Sequence, residues 1–166
     1  PVLLLFIIAT LIALLLNPAV TVGLLVSGAD EYGPGVAVSF ASTLVYFAGE
    51  FVGAFLGAVL AFLAYRAHYN DPEAAGTQLG TFSTGPAIKS TADNLVTEII
   101  GTFVLVFVVI ASGLYTTNTK GDPVNLGWLG AFGVALLIVV IGTGLGGPTG
   151  YAINPTRDLC PRIMHA

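Results

Sequence analysis

Charge is scarce in this sequence. Asp, Glu, Lys and Arg make up 8 % of the 166 residues, against about 25 % in a water-soluble domain. Hydrophobic residues make up 55 % and the mean hydropathy is +0.92, so the chain is built for a lipid bilayer. Five basic and nine acidic residues give a net charge of −4, which leaves no basic patch for DNA or RNA. Cysteine occurs once, at Cys160; a lone thiol makes no internal disulfide and matches no zinc or redox spacing. The two histidines, His68 and His165, lack partner ligands at metal spacing. Basic loop residues are equally few: Arg66, Lys89 and Lys120 show no bias that would set an orientation across the membrane. Pro1–Leu16 has neither a basic leading region nor a small-residue cleavage site, so it does not read as a signal peptide. The missing initiator Met and the abrupt ending "RIMHA" lead us to expect a piece of a longer chain.

Long apolar runs are what the sequence has in abundance. Val36–Tyr65 holds 30 residues with one charge, Glu50; Leu95–Tyr115 holds 21 with one, Glu98; Leu126–Leu145 holds 20 with none. A helix needs about 20 such residues to cross a hydrocarbon core of about 30 Å, so these three can span. Pro1–Leu16 reaches only about 24 Å as a helix, and Asn17–Ser27 is too short to span. Arg66–Asn94, with "NDPEAAGTQ" and "STGP" as punctuation, reads as an extramembrane loop. The expected divisions are 1–65, 66–94 and 95–166 within one all-α membrane domain. Trp128, at the start of a span, reads as an interfacial anchor.

One interruption recurs. "LLNPAVTVG" around Asn17 is echoed by "AINPTRDLC" around Asn154, each after an apolar segment and each opening residues compatible with a helix. Asn is a favoured N-cap and Pro a favoured first helical residue, so each copy reads as a helix start inside apolar surroundings. Two such starts imply two re-entrant half-helices. Irregular backbone at that depth is tolerated only when buried in protein or lining a wet cavity, and paired interrupted segments point to a pathway at the bilayer midplane.

"NPAVTVG" and "GYAINPTRD", together with "GTFST" (Gly80–Thr84), "EIIGTFVLVF" (Glu98–Phe107) and the closing "GGPTGYAINPTRDLCPR", closely resemble the major intrinsic proteins, which include aquaporins and glycerol facilitators. The resemblance runs from Asn17 to Ala166. It implies an inverted repeat of six spanning helices and two half-helices, of which this chain would be the middle, and a homotetramer in a plasma membrane. It also implies a path bordered by Asn17, Pro18, Ala19, Asn154, Pro155 and Thr156, where the two asparagines donate to a permeant oxygen. Arg157 would be the arginine of the narrow filter, with Tyr151 and Gly142 in the same constriction. Glycine at 142, an aromatic at 151 and Asp158 after the arginine are similar to the glycerol-conducting branch. An aromatic face with a guanidinium suits a polyol, which has CH groups on one side and hydroxyls on the other. No catalysis, cofactor or metal is implied.

Two membrane carboxylates need donors, because burial without them is costly. The resemblance gives Glu98 the task of accepting hydrogen bonds from a re-entrant loop and, more loosely, gives Glu50 a structural task. The glycines at 49, 53 and 57 make a stripe of the kind that lets helices approach closely. Departures from the family pattern are "LIALLL" before Asn17, with Phe6 the only aromatic there, Thr156 where alanine is usual, and Cys160 where glycine is usual. Three functions therefore stay open: a passive channel for glycerol, other small uncharged solutes and water; an ion-coupled secondary transporter using Glu50 or Glu98; and a nonconducting truncated product.

Overall fold

The computed structural model describes residues 17–33, 35–72, 78–114, 126 and 128–165. The short run Pro1–Leu16, including Phe6, and the side chain of Trp128 lie outside the described residues, as does most of "NDPEAAGTQ".

Asn17 caps helix α1, Pro18–Ser27, by accepting from the Ala19 N–H, with Pro18 at the first helical position. The helix stops at Gly28, whose φ of 76° is left-handed and whose N–H turns back to the carbonyls of Leu24 and Leu25; glycine takes that conformation without a Cβ penalty. A small antiparallel pair follows, β1 at Glu31–Gly33 and β2 at Val36–Ala37. The apolar run expected to span from Val36 therefore begins as a strand. Ser39 and Ser42 form a reciprocal capping box, which starts helix α2 at Phe40 and carries it to Tyr69.

The expected loop 66–94 is shorter than its composition implies. Helix α2 runs four residues into it, a short helix α3 forms at Gln78–Phe82, and α4, Thr91–Leu114, begins inside it. Ser90, just before α4, bonds Asp93 at 2.5 Å, a local helix-start contact that outweighs the polar composition. Helix α5 spans Trp128–Thr149 and α6 spans Pro155–His165. Among the described residues, α2, α4 and α5 are long and apolar enough to cross a membrane; α1 and α6 are not.

Burial is arranged as a bilayer requires. Valine, leucine and phenylalanine side chains of α2, α4 and α5 stand exposed, whereas Asn17, Thr21, Thr43, Glu50, Asn154 and Thr156 are buried. Lipid solvates the outer apolar faces, so polar groups must find partners inside. Among the described residues the apolar core is small: Leu105, Ile138, Ile141 and Ile153 close the joint between α4, α5 and the turn before α6. The main packing is α2 on α6, α4 on α5, and α1 on both α4 and α2. Helix α2 turns the face carrying Thr43, Glu50 and Ala58 inward. Among the described residues nothing stands within 4 Å of a Cβ at Gly49 or Gly57, so no close approach is seen at these two positions of the stripe.

Gly23 does make a close approach. A Cβ there would collide with Val106 Cγ1 of α4. Gly23→Leu should therefore force α1 and α4 apart and cost about 1–3 kcal/mol, seen as a lower midpoint for thermal unfolding in detergent, while Gly49→Leu leaves the midpoint nearly unchanged.

Candidate functional site

The two Asn–Pro pairs, far apart in sequence, meet. Asn17 Nδ2 donates to the Ile153 carbonyl at 3.1 Å, and α1 touches α6. Both asparagines are buried, Asn17 at 3 % and Asn154 at 6 % exposure. Each caps its own helix: the Asn17 side chain takes the Ala19 N–H at 3.0 Å, and Asn154 Oδ1 takes the N–H groups of Thr156 and Arg157 at 3.1 and 3.2 Å. Pro18 is buried, Ala19 half-buried and Pro155 exposed.

The turn feeding α6 is strained. Gly150, Tyr151 and Ile153 have φ of 80°, 45° and 40°, and left-handed backbone at a β-branched residue such as Ile153 is uncommon and costs of order 1–3 kcal/mol. Glu98 of α4 faces this turn with both oxygens: Oε1 accepts the Ala152 N–H at 3.0 Å and Oε2 the Ile153 N–H at 2.9 Å. Charge-assisted bonds of this kind are the stronger class. They hold Ile153 so that its carbonyl points back to Asn17. Gly101, one turn along α4, leaves room for the Ile153 side chain, whose Cγ2 would stand 3.0 Å from a Cβ there.

On the other side, Glu50 of α2 is 1 % exposed. Its Oε1 accepts the Thr21 hydroxyl of α1 at 2.5 Å, and its Oε2 has no partner among the described residues. Thr21 also reaches toward the Asn17 carbonyl at 3.4 Å, so α2 braces α1 one turn past its cap.

Arg157, Tyr151 and Gly142 lie together. The Arg157 guanidinium carbon stands 5.9 Å from the centre of the Tyr151 ring, within cation–π range, and Arg157 Nη1 is buried with no partner among the described residues. A Cβ at Gly142 would lie 2.9 Å from Tyr151 Cζ, and one at Gly146 would lie 3.1 Å from its Cδ1. The space released by glycine at 142 is thus taken by the tyrosine ring rather than left as empty width. An open cavity of about 350 Å³, lined by Ala19, Thr102, Ala152 and Asn154 among others, borders the junction; Arg157, Tyr151 and Gly142 are not among its walls.

Asp158 ties down the loop. Its Oδ1 accepts the Thr84 N–H at 2.7 Å and the Thr84 hydroxyl at 2.8 Å, while Arg162 Nη2 bridges Asp158 Oδ2 at 3.0 Å and the Thr84 carbonyl at 2.6 Å. Phe82 and Ser83 are buried at 5 % and 2 %, so the loop end carrying "GTFST" folds in over α6. Sequence reasoning missed Arg162 and Thr21. The Asp158–Arg162 spacing of four, a helical ion-pair distance, was a readable signal for the first; Thr21 offered none.

With this geometry in hand, similarity to known proteins is informative. The family profile described as Major intrinsic protein matches residues 3–166. The glycerol uptake facilitator protein of Streptococcus pneumoniae is 49 % identical over 151 residues, covering 91 % of this chain and 58 % of that protein. The glycerol uptake facilitator protein of Bacillus subtilis is 42 % identical over 151 residues, covering 91 % of this chain and 49 % of that protein. In structure, the aquaglyceroporin from Plasmodium falciparum superposes with a TM-score of 0.66 at 26 % identity, over 90 % of this chain and 56 % of the other. The chain spans about half the length of the relatives it matches. Three membrane-crossing helices, two capped half-helices joined through Asn17 and Ile153, and a profile match over nearly every residue agree: this integral membrane chain belongs to the major intrinsic protein family.

Proposed function

We propose that the full-length protein is a passive channel for glycerol and other small uncharged solutes, including water, that excludes ions and protons. The observation that carries this reading is the meeting of two helix starts, at Asn17 and Asn154, inside an apolar assembly. Each start contributes roughly +0.5 of an elementary charge, and a positive focus of that kind repels cations and protons, as already described for aquaporin-type pores. One Asn17 Nδ2 hydrogen is used on Ile153; the other donates to a permeant oxygen, as does the Asn154 carboxamide. The Arg157 guanidinium binds solute hydroxyls while the Tyr151 face receives the carbon chain, and Gly142 gives that ring its place. The names of the pneumococcal and Bacillus relatives favour glycerol as the solute. A homotetramer in the plasma membrane is the assembly that fits this family.

The bonding of the carboxylates favours a passive channel over an ion-coupled transporter. Both Glu98 oxygens are engaged by backbone N–H groups, and one oxygen of Glu50, Oε1, is engaged by Thr21. We assign Glu98, Glu50 and Asp158 to holding the half-helices and the loop. The full-length protein reconstituted in vesicles should pass glycerol at a rate unchanged, within about twofold, by an imposed pH or sodium gradient. Flux that follows either gradient would make it a transporter, and absence of flux a nonconducting product.

Arg157→Ala removes both bulk and positive charge from the constriction, so polyols longer than glycerol should enter several-fold faster in a vesicle swelling assay. Unchanged selectivity would take Arg157 out of the filter. Glu98→Gln keeps one acceptor but turns an amide N–H toward a backbone N–H, at a cost of about 1–3 kcal/mol. Membrane abundance and thermal stability should fall, with flux per inserted copy largely kept; normal abundance with abolished flux would place Glu98 in transport.

A further inference from the structure

The two Asn–Pro motifs differ at their third position, and the difference is visible in bonding. Asn17 is followed by Pro18 and Ala19, and among the described residues its Oδ1 accepts one donor, the Ala19 N–H at 3.0 Å. Asn154 is followed by Pro155 and Thr156. Its Oδ1 accepts three: the Thr156 N–H at 3.1 Å, the Arg157 N–H at 3.2 Å and, shortest of all, the Thr156 hydroxyl at 2.8 Å. Thr156 is 0 % exposed, so its hydroxyl has no bulk water as an alternative. A threonine hydroxyl inside a helix commonly turns back to a backbone carbonyl; this one reaches a side chain two residues earlier.

A carboxamide oxygen has two lone pairs. With three donors converging on it, Asn154 Oδ1 is saturated and offers nothing to an incoming hydroxyl. Rotating the carboxamide by half a turn would set its NH₂ against two backbone N–H groups, donor facing donor. The oxygen is therefore held toward the helix, and the hydroxyl adds the shortest of the three restraints.

We propose that Thr156 is a positioning residue that holds the Asn154 carboxamide oxygen toward the helix through its hydroxyl. The proposal deepens the channel reading above and rests on it for its consequence on flux. Asn17, whose motif has alanine at the third position, donates its N–H to the Ile153 carbonyl.

The test uses the full-length protein and three variants: Thr156→Ser, which keeps the hydroxyl, Thr156→Val, which keeps the volume, and Thr156→Ala, which removes both without crowding. Glycerol flux per inserted copy should fall about threefold to tenfold in the Val and Ala variants, the factor set by one neutral hydrogen bond, and Ser should recover most of it. Flux at the parent level in Thr156→Ala would overturn the proposal. A second measurement does not need conduction: thermal midpoints of Thr156→Val or Thr156→Ala, of Asn154→Ala, and of the pair. If Thr156 acts through Asn154, its substitution shifts the midpoint in the parent but not in the Asn154→Ala background. Equal shifts in both backgrounds would overturn the link. A parent that passes no glycerol would sink the channel reading alone, and the midpoints would still decide the bond.

Discussion

Everything in this structure answers one constraint: a backbone that leaves the helical ladder at membrane depth must have its N–H and C=O groups satisfied by protein. Helices α1 and α6 both start there, and each start exposes donors that no earlier turn can use. The Asn side chains take some of them, which is why Asn–Pro is the dipeptide at both points. What remains falls to other elements. Glu98 takes the Ala152 and Ile153 N–H groups, and Asn17 takes the Ile153 carbonyl. Without the carboxylate, the left-handed turn at Tyr151 and Ile153 would have strain and unpaired donors together.

The same constraint explains why the inside is polar. In a water-soluble fold the apolar side chains drive collapse; here lipid receives most of them, and the cohesive contacts are hydrogen bonds and close backbone approaches. Thr21 to Glu50 joins α1 to α2, Asp158 to Thr84 joins α6 to the loop, and Gly23 and Gly101 let α1 and the strained turn come against α4. The Thr21, Asp158 and Gly101 joins are also next to the Asn17–Asn154 junction or to Arg157. The framework and the candidate path are therefore one set of residues.

Much of this was legible in the sequence, and the limits have physical causes. Apolar run length located the three spanning helices, and the paired Asn–Pro located both half-helices, because N-cap and first-turn preferences are local. Helix ends were less legible: the Ser39–Ser42 box and the Ser90–Asp93 contact moved them by several residues, and polar composition hid the ends of α2 and α4 inside the expected loop. The β1–β2 pair is too short to leave a pattern. Facing directions were the hardest to read. A glycine stripe at helical spacing says that a face is smooth, but not that another helix lies on it, and among the described residues nothing packs on Gly49 or Gly57. The way the Tyr151 ring packs against Gly142 was equally hidden, since it depends on a turn with positive φ that sends the ring back over α5.

The proposed channel requires a positive junction that lets a neutral polyol through and turns a proton back. Vesicles carrying the full-length protein and loaded with a pH-sensitive dye can report both at once, glycerol entry by light scattering and proton entry by fluorescence. Glycerol entry that rises with protein content, with proton entry no faster than in protein-free vesicles under the same pH step, is the predicted result. Proton entry that rises in proportion to glycerol entry would contradict it.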